Sequence, residues 1–184
     1  MMQSRRLKYW GRRRERVTTK RALLLGTLTV GTLDALDAVI FFYLFRGTTP
    51  VQIFQGIASG LLGRASFSGG LRTTLLGLAI HYFIAFMVVL TFLLVSRRVS
   101  TLRRWPLWSG LAYGIGVWLF MNLVVLPLSV GRPRFLAPVV TNGLLIHMFG
   151  VGLPASLFAR AADSDARIHG FPDAGRGSRH AMRD

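Results

Sequence analysis

Four long apolar runs dominate the chain: Ala22 to Phe45, Thr73 to Val95, Leu107 to Leu128 and Val139 to Ala161. Each is close to the ~20 residues that a helix needs to cross ~30 Å of hydrocarbon. A segment in that medium has to be helical, because lipid offers backbone N–H and C=O groups no partner. The pattern predicts an all-α fold: a polytopic membrane protein built as a four-transmembrane-helix bundle over residues 22–162. Between the first two runs the pattern changes. Thr49-Pro50 reads as an N-cap followed by a first-turn proline. After it, Ile53, Phe54, Ile57, Leu61 and Leu62 recur at helical spacing, with Gln52, Gln55 and Ser59 between them. A short amphipathic helix is expected over 50–63 in the first outer loop, either in the interface or dipping back into the bundle. Gly56 and Gly60 form a small-residue step that should pack closely on a neighbour.

Composition strengthens this picture. At 184 residues the chain has room for one domain, and 52% of it is hydrophobic. A soluble domain of this size has too much surface for its volume to hide that share. The formal net charge of +16 would suit nucleic acid. The basic residues, however, gather at the ends of apolar runs, which is the membrane-topology pattern, so no nucleic-acid partner is expected. With the N-terminus inside, eighteen of the 23 Lys and Arg face the cytoplasm and five face out. Both termini are therefore expected to be cytoplasmic. Residues 1–21 carry nine of these charges and are expected to be a flexible tail lying on anionic lipid, at ~1 kcal/mol per basic residue near the surface. Residues 163–184 are polar and glycine-containing and are expected to be a disordered cytoplasmic tail. The absence of cysteine excludes disulfides, thiolate metal sites and cysteine nucleophiles.

Candidate chemistry lies where polar groups fall inside the apolar runs. An aspartate at mid-span costs roughly 2.5–3.5 kcal/mol on insertion scales, and the first run holds two, Asp34 and Asp37, on one helix face. The other embedded polar residues are His81, Asn122, Asn142 and His147. Counted from the outer end of each run, Asp37, His81, Asn122 and His147 all fall roughly 9–12 Å deep. Lipid-facing placement would be costly for each, so they should turn inward and meet. Such a layer could relay protons or bind a cation during transport, or it could merely hold helices together. His81 and His147 could also serve as axial ligands of a b-type haem, or join an aspartate around a divalent cation. Spacing alone calls for no cofactor. No nucleophile arrangement or phosphate-binding loop marks an enzyme. Arg46, Arg64 and Arg72, near the outer face, could grip an anionic head group or substrate, or simply snorkel to the interface.

A short repeat is present. Gly77-Leu78-Ala79-Ile80-His81-Tyr82-Phe83 recurs as Gly143-Leu144-Leu145-Ile146-His147-Met148-Phe149. Duplication of a two-helix hairpin would produce it, and binding sites form between such repeats. Pro127, Gly150, Gly152 and Pro154 mark weak points in the third and fourth runs.

Three segments carry a resemblance: Gly31-Thr32-Leu33-Asp34-Ala35-Leu36-Asp37-Ala38, Ile57 to Arg64, and Gly143 to Pro154. They resemble those of a group of small, uncharacterised bacterial inner-membrane proteins, over roughly Ala22 to Ala161. A fainter similarity links the third span and the loop after it to the YagU type of bacterial inner-membrane protein. The resemblance implies a multi-pass protein of the bacterial cytoplasmic membrane and no catalytic mechanism. The bundle is expected either alone or as a homo-oligomer.

Overall fold

The computed structural model describes residues 18–129, 131 and 135–169, with side chains through residue 162. Residues 1–17 of the basic tail and 170–184 of the polar tail lie outside the described residues, as do Arg132 and Arg134. Every element among the described residues is helical. In order they are α1 (Thr19–Arg46), α2 (Pro50–Leu62), a 3-10 turn (Gly63–Ser68), α3 (Gly70–Arg98), α4 (Ser100–Arg104), α5 (Pro106–Phe120), α6 (Leu126–Ser129), α7 (Ala137–Ile146) and α8 (Leu153–His169). Wide π-helical turns join α5 to α6 over Met121–Val125, and α7 to α8 over His147–Gly152.

Four continuous helical rods are long and apolar enough to cross a membrane: Thr19–Arg46, Gly70–Arg98, Pro106–Ser129 and Ala137–Ala162. They contain the four apolar runs and exceed each by one to three residues at either end. α8 also continues to His169, where the sequence suggested a disordered tail from residue 163. A polar stretch can prolong a helix already nucleated, since each added residue gains a hydrogen bond without a new nucleus. The rods turn large apolar side chains outward. Leu44, Leu71, Trp108 and Leu128 are all more than 70% exposed. Only 6% of the most apolar stretch of the third rod is buried. A water-soluble surface does not carry apolar area of this extent.

Local signals set the ends. α1 stops at Gly47, whose φ of +66° favours glycine. There the N–H of Thr48 reaches back to the carbonyl of Phe42 at 3.2 Å. α2 begins with a reciprocal cap. Thr49 Oγ1 accepts from the Gln52 N–H at 3.3 Å, and Gln52 Oε1 accepts from the Thr49 N–H at 2.9 Å. Thr49→Ala should destabilise α2 by about 1 kcal/mol. Faster hydrogen exchange over residues 50–62, with α1 and α3 unchanged, is the expected reading.

The rods approach one another through small residues, which let helix backbones come close. A Cβ on Gly114 would strike the carbonyl oxygen of His147, and one on Gly152 would strike that of Gly110. Backbone thus lies on backbone where the third and fourth rods cross. Ser156 Oγ donates to the Pro106 carbonyl at 2.8 Å beside this contact. α2 lies on α3 in the same manner, the Phe54 carbonyl seated on Gly77. Buried Gln55 donates from Nε2 to the Gly70 carbonyl at 3.2 Å. The anticipated step at Gly56 and Gly60 does not serve this packing. Gly56 faces open space, and Gly60 meets only Ser129.

The bundle is unequal along its length. Ala22, Phe92, Leu93, Ala155, Ala159 and Ala162 belong to the tightly packed core at the end where the first rod begins. Arg97 joins Thr19 at that end at 2.9 Å. Towards the opposite end, where α2 connects α1 to α3, the rods part around a cavity.

Candidate functional site

The cavity has a volume of about 690 Å³ and is walled by all four rods and α2. Its lining is mainly apolar, with Phe41, Phe42, Phe54 and Trp118 among the aromatic residues. Asp34, Asp37, His81, Asn122, Asn142 and His147 all line it too. They come from four separate rods, so helix packing alone brings them together. All six are half-buried.

Asp37 is the best-held member. Asn142 Nδ2 donates to its Oδ2 at 2.7 Å, tying α7 to α1. A donor bonded to a carboxylate makes a stronger bond than one bonded to a neutral oxygen. Asp34, one turn earlier on α1, and His147 lie within electrostatic range of the Asp37 carboxylate. Asp34 has no protein hydrogen-bond partner among the described residues.

The two histidines occupy equivalent places in the repeated heptapeptide but are held differently. His81 Nε2 donates to the Gly31 carbonyl on α1 at 2.8 Å. His147 Nδ1 donates to the Gly143 carbonyl of its own helix at 2.8 Å. A carbonyl only accepts, so each of these nitrogens carries the proton. The nitrogens left over are Nδ1 of His81 and Nε2 of His147. A haem iron between these rings would therefore meet Nδ1 of His81, because Nε2 is engaged. No group of three or more His, Cys, Asp or Glu side chains placed to hold a metal ion occurs among the described residues.

The single layer counted from run ends does not describe these contacts fully. His81 meets α1 at Gly31, six residues before Asp37. That is ~9 Å along the helix axis. Side chains lean towards a helix N-terminus, which brings the Asp37 carboxylate part of the way to it. Asn122 turns along its own rod, with Nδ2 donating to the Trp118 carbonyl at 2.9 Å.

Both wide turns fall at the site: Asn122 lies in the first, and His147 begins the second. Each precedes a proline by two residues, Pro127 and Pro154. Proline has no N–H to donate and its ring crowds the carbonyl four residues back. A turn widened by one residue re-forms the bonding. The Leu126 N–H then reaches the Met121 carbonyl, and the Leu153 N–H that of Met148, both five residues back. Such bulges occur often at functional sites. The prolines were the visible signal; the change of hydrogen-bond register was not. Sequence reasoning also passed over Trp118, which lines the cavity and seats Gly143 against its indole Nε1.

Of the three arginines, one belongs here. Arg46 lies over the Phe45 ring at 5.5 Å. It also lines a smaller cavity of about 320 Å³ that shares Phe42, Trp118, Asn122, Leu126 and Val139 with the large one. Arg64 and Arg72 are exposed and line neither cavity.

No family model matches the chain, and no curated protein or solved structure is significantly similar to it.

Proposed function

We propose that the chain is a multi-pass protein of the bacterial cytoplasmic membrane that carries a small solute, linked to protons or a cation, by way of the Asp/His cavity. One observation carries this reading: six polar side chains from four apolar rods line one cavity. Ionisable residues at membrane depth mark ion and substrate pathways. The volume of about 690 Å³ lies within the ~300–1,000 Å³ common for small-molecule sites. Both irregular rods are irregular at the cavity, as in transporters whose broken helices bind at mid-membrane. The distribution of Lys and Arg puts both termini in the cytoplasm, with the basic tail on anionic lipid. In that orientation the tightly packed core faces the cytoplasm and the cavity occupies the outer half. The resemblance to small bacterial inner-membrane proteins supports the same setting.

Reconstitution tests this. Liposomes carrying the full chain and a pH-sensitive dye are given a potassium-diffusion potential. Proton entry should exceed that of protein-free liposomes several-fold, and Asp37→Asn should return it to background while the protein stays folded. Equal entry with and without protein, or an unaffected Asp37→Asn variant, would refute the proton-linked reading.

A second reading has its own support. The Asn142–Asp37 and His81–Gly31 bonds each join two rods, so the polar residues could act only as ties. Interhelical hydrogen bonds of this kind average ~0.6 kcal/mol in membranes. As ties alone, they predict no proton entry and a normal Asp37→Asn protein, because an amide also accepts a hydrogen bond.

A further inference from the structure

We infer that the solute of this cavity is an organic cation, a positive group on an apolar body. The inference rests on the proposed carrier reading and adds the ligand class. The charges in the lining are unbalanced: among the described residues it holds Asp34 and Asp37 but no Lys or Arg. Asp37 is met by the neutral amide of Asn142, and Asp34 has no protein hydrogen-bond partner among the described residues. A carboxylate facing a largely apolar cavity attracts a counter-charge, which the described walls do not provide. A ligand that brings it is bound through the deficit.

The rest of the lining suits the body of such a ligand. Phe41, Phe42, Phe54 and Trp118 offer ring faces, which attract cations through the quadrupole, tryptophan most strongly. The nitrogens left over on His81 and His147 accept hydrogen bonds when unprotonated, which suits an ammonium N–H. Anions are served differently. Arg46 stands in the smaller adjoining cavity, so an anion that fills the large one faces two carboxylates and lies apart from the guanidinium.

Two probes of the same shape and opposite charge, tetraphenylphosphonium and tetraphenylborate, separate charge from apolar fit. Binding is measured by equilibrium dialysis to the full chain in nanodiscs of zwitterionic lipid, with empty nanodiscs as background. Tetraphenylphosphonium should saturate one site and bind about tenfold more tightly than tetraphenylborate, as expected when charge as well as ring contact discriminates. Asp34→Asn and Asp37→Asn together should reduce its affinity by a similar factor. Asp34→Asn alone breaks no protein hydrogen bond, so it reads the charge effect should the double variant fail to fold. Equal or tighter tetraphenylborate binding, no saturable phosphonium binding, or full affinity in the Asp34→Asn protein would overturn the inference. If that happened while Asp37-dependent proton entry persisted, only the ligand class would fall. Loss of both would remove the carrier reading as well.

Discussion

Gly114→Leu is expected to abolish the folded bundle, while Gly116→Ala, two residues further along the same helix, leaves it intact. A Cβ on Gly114 would strike the His147 carbonyl oxygen and crowd the Met148 Cα, whereas one on Gly116 meets nothing within 4 Å. Overpacking usually costs about 1–3 kcal/mol when neighbouring side chains can move aside. Here the obstacle is backbone, and it is the start of the wide turn that carries His147. Neither rod can retreat without losing the Gly110–Gly152 contact one turn away. The effect should therefore reach the top of that range or pass it. Size-exclusion profiles and thermal unfolding of the solubilised protein read it directly. A monodisperse Gly114→Leu protein that melts with the wild type would show that the crossing of the third and fourth rods is misdescribed.

Much of the fold was legible because a long apolar run leaves the backbone few options. Hydrocarbon permits a long apolar run one backbone conformation, so the four rods follow from run length alone. α2 was equally plain, since Thr49 and Pro50 spell a helix start through their own chemistry. What the sequence could not give is which face of each rod meets which neighbour. Counting residues from run ends ranks depth but says nothing of rotation. It set Asp37 against His81, whereas Asp37 pairs with Asn142 and His81 with Gly31. The small-residue steps show the same limit. Gly56–Gly60 and Gly110–Gly114 have the same spacing, yet only the second meets another backbone. The prolines signalled that the third and fourth rods were irregular. The form of that irregularity depends on where displaced carbonyls find new donors, which is a three-dimensional matter.

The candidate site was legible as a set of residues and not as a shape. Placing an aspartate in an apolar run is costly enough to single out Asp34 and Asp37. The same reasoning found His81, Asn122, Asn142 and His147. It did not foresee that α2 and Trp118 would complete the walls of a cavity, or that Arg46 alone of three arginines would stand beside it.

The central claim is that these polar residues surround a water-reachable cavity within an otherwise lipid-facing bundle. The chain has no cysteine, so any thiol introduced is the only one present. Ala38, Ile57 and Val139 line the cavity, while Leu36 and Leu145 are 52% and 51% exposed on the outside of the rods, away from it. The thiolate attacks the maleimide, and it forms readily only where water reaches the sulfur. An apolar surrounding that raises a thiol pKa by two units leaves ~100-fold less thiolate. Single cysteines at these five positions, treated in membranes with a membrane-impermeant maleimide, give the most direct test. Ala38→Cys, Ile57→Cys and Val139→Cys should react on the order of a hundredfold faster than Leu36→Cys and Leu145→Cys. Equal rates in the two groups, or fast reaction at Leu36 and Leu145 alone, would contradict the account.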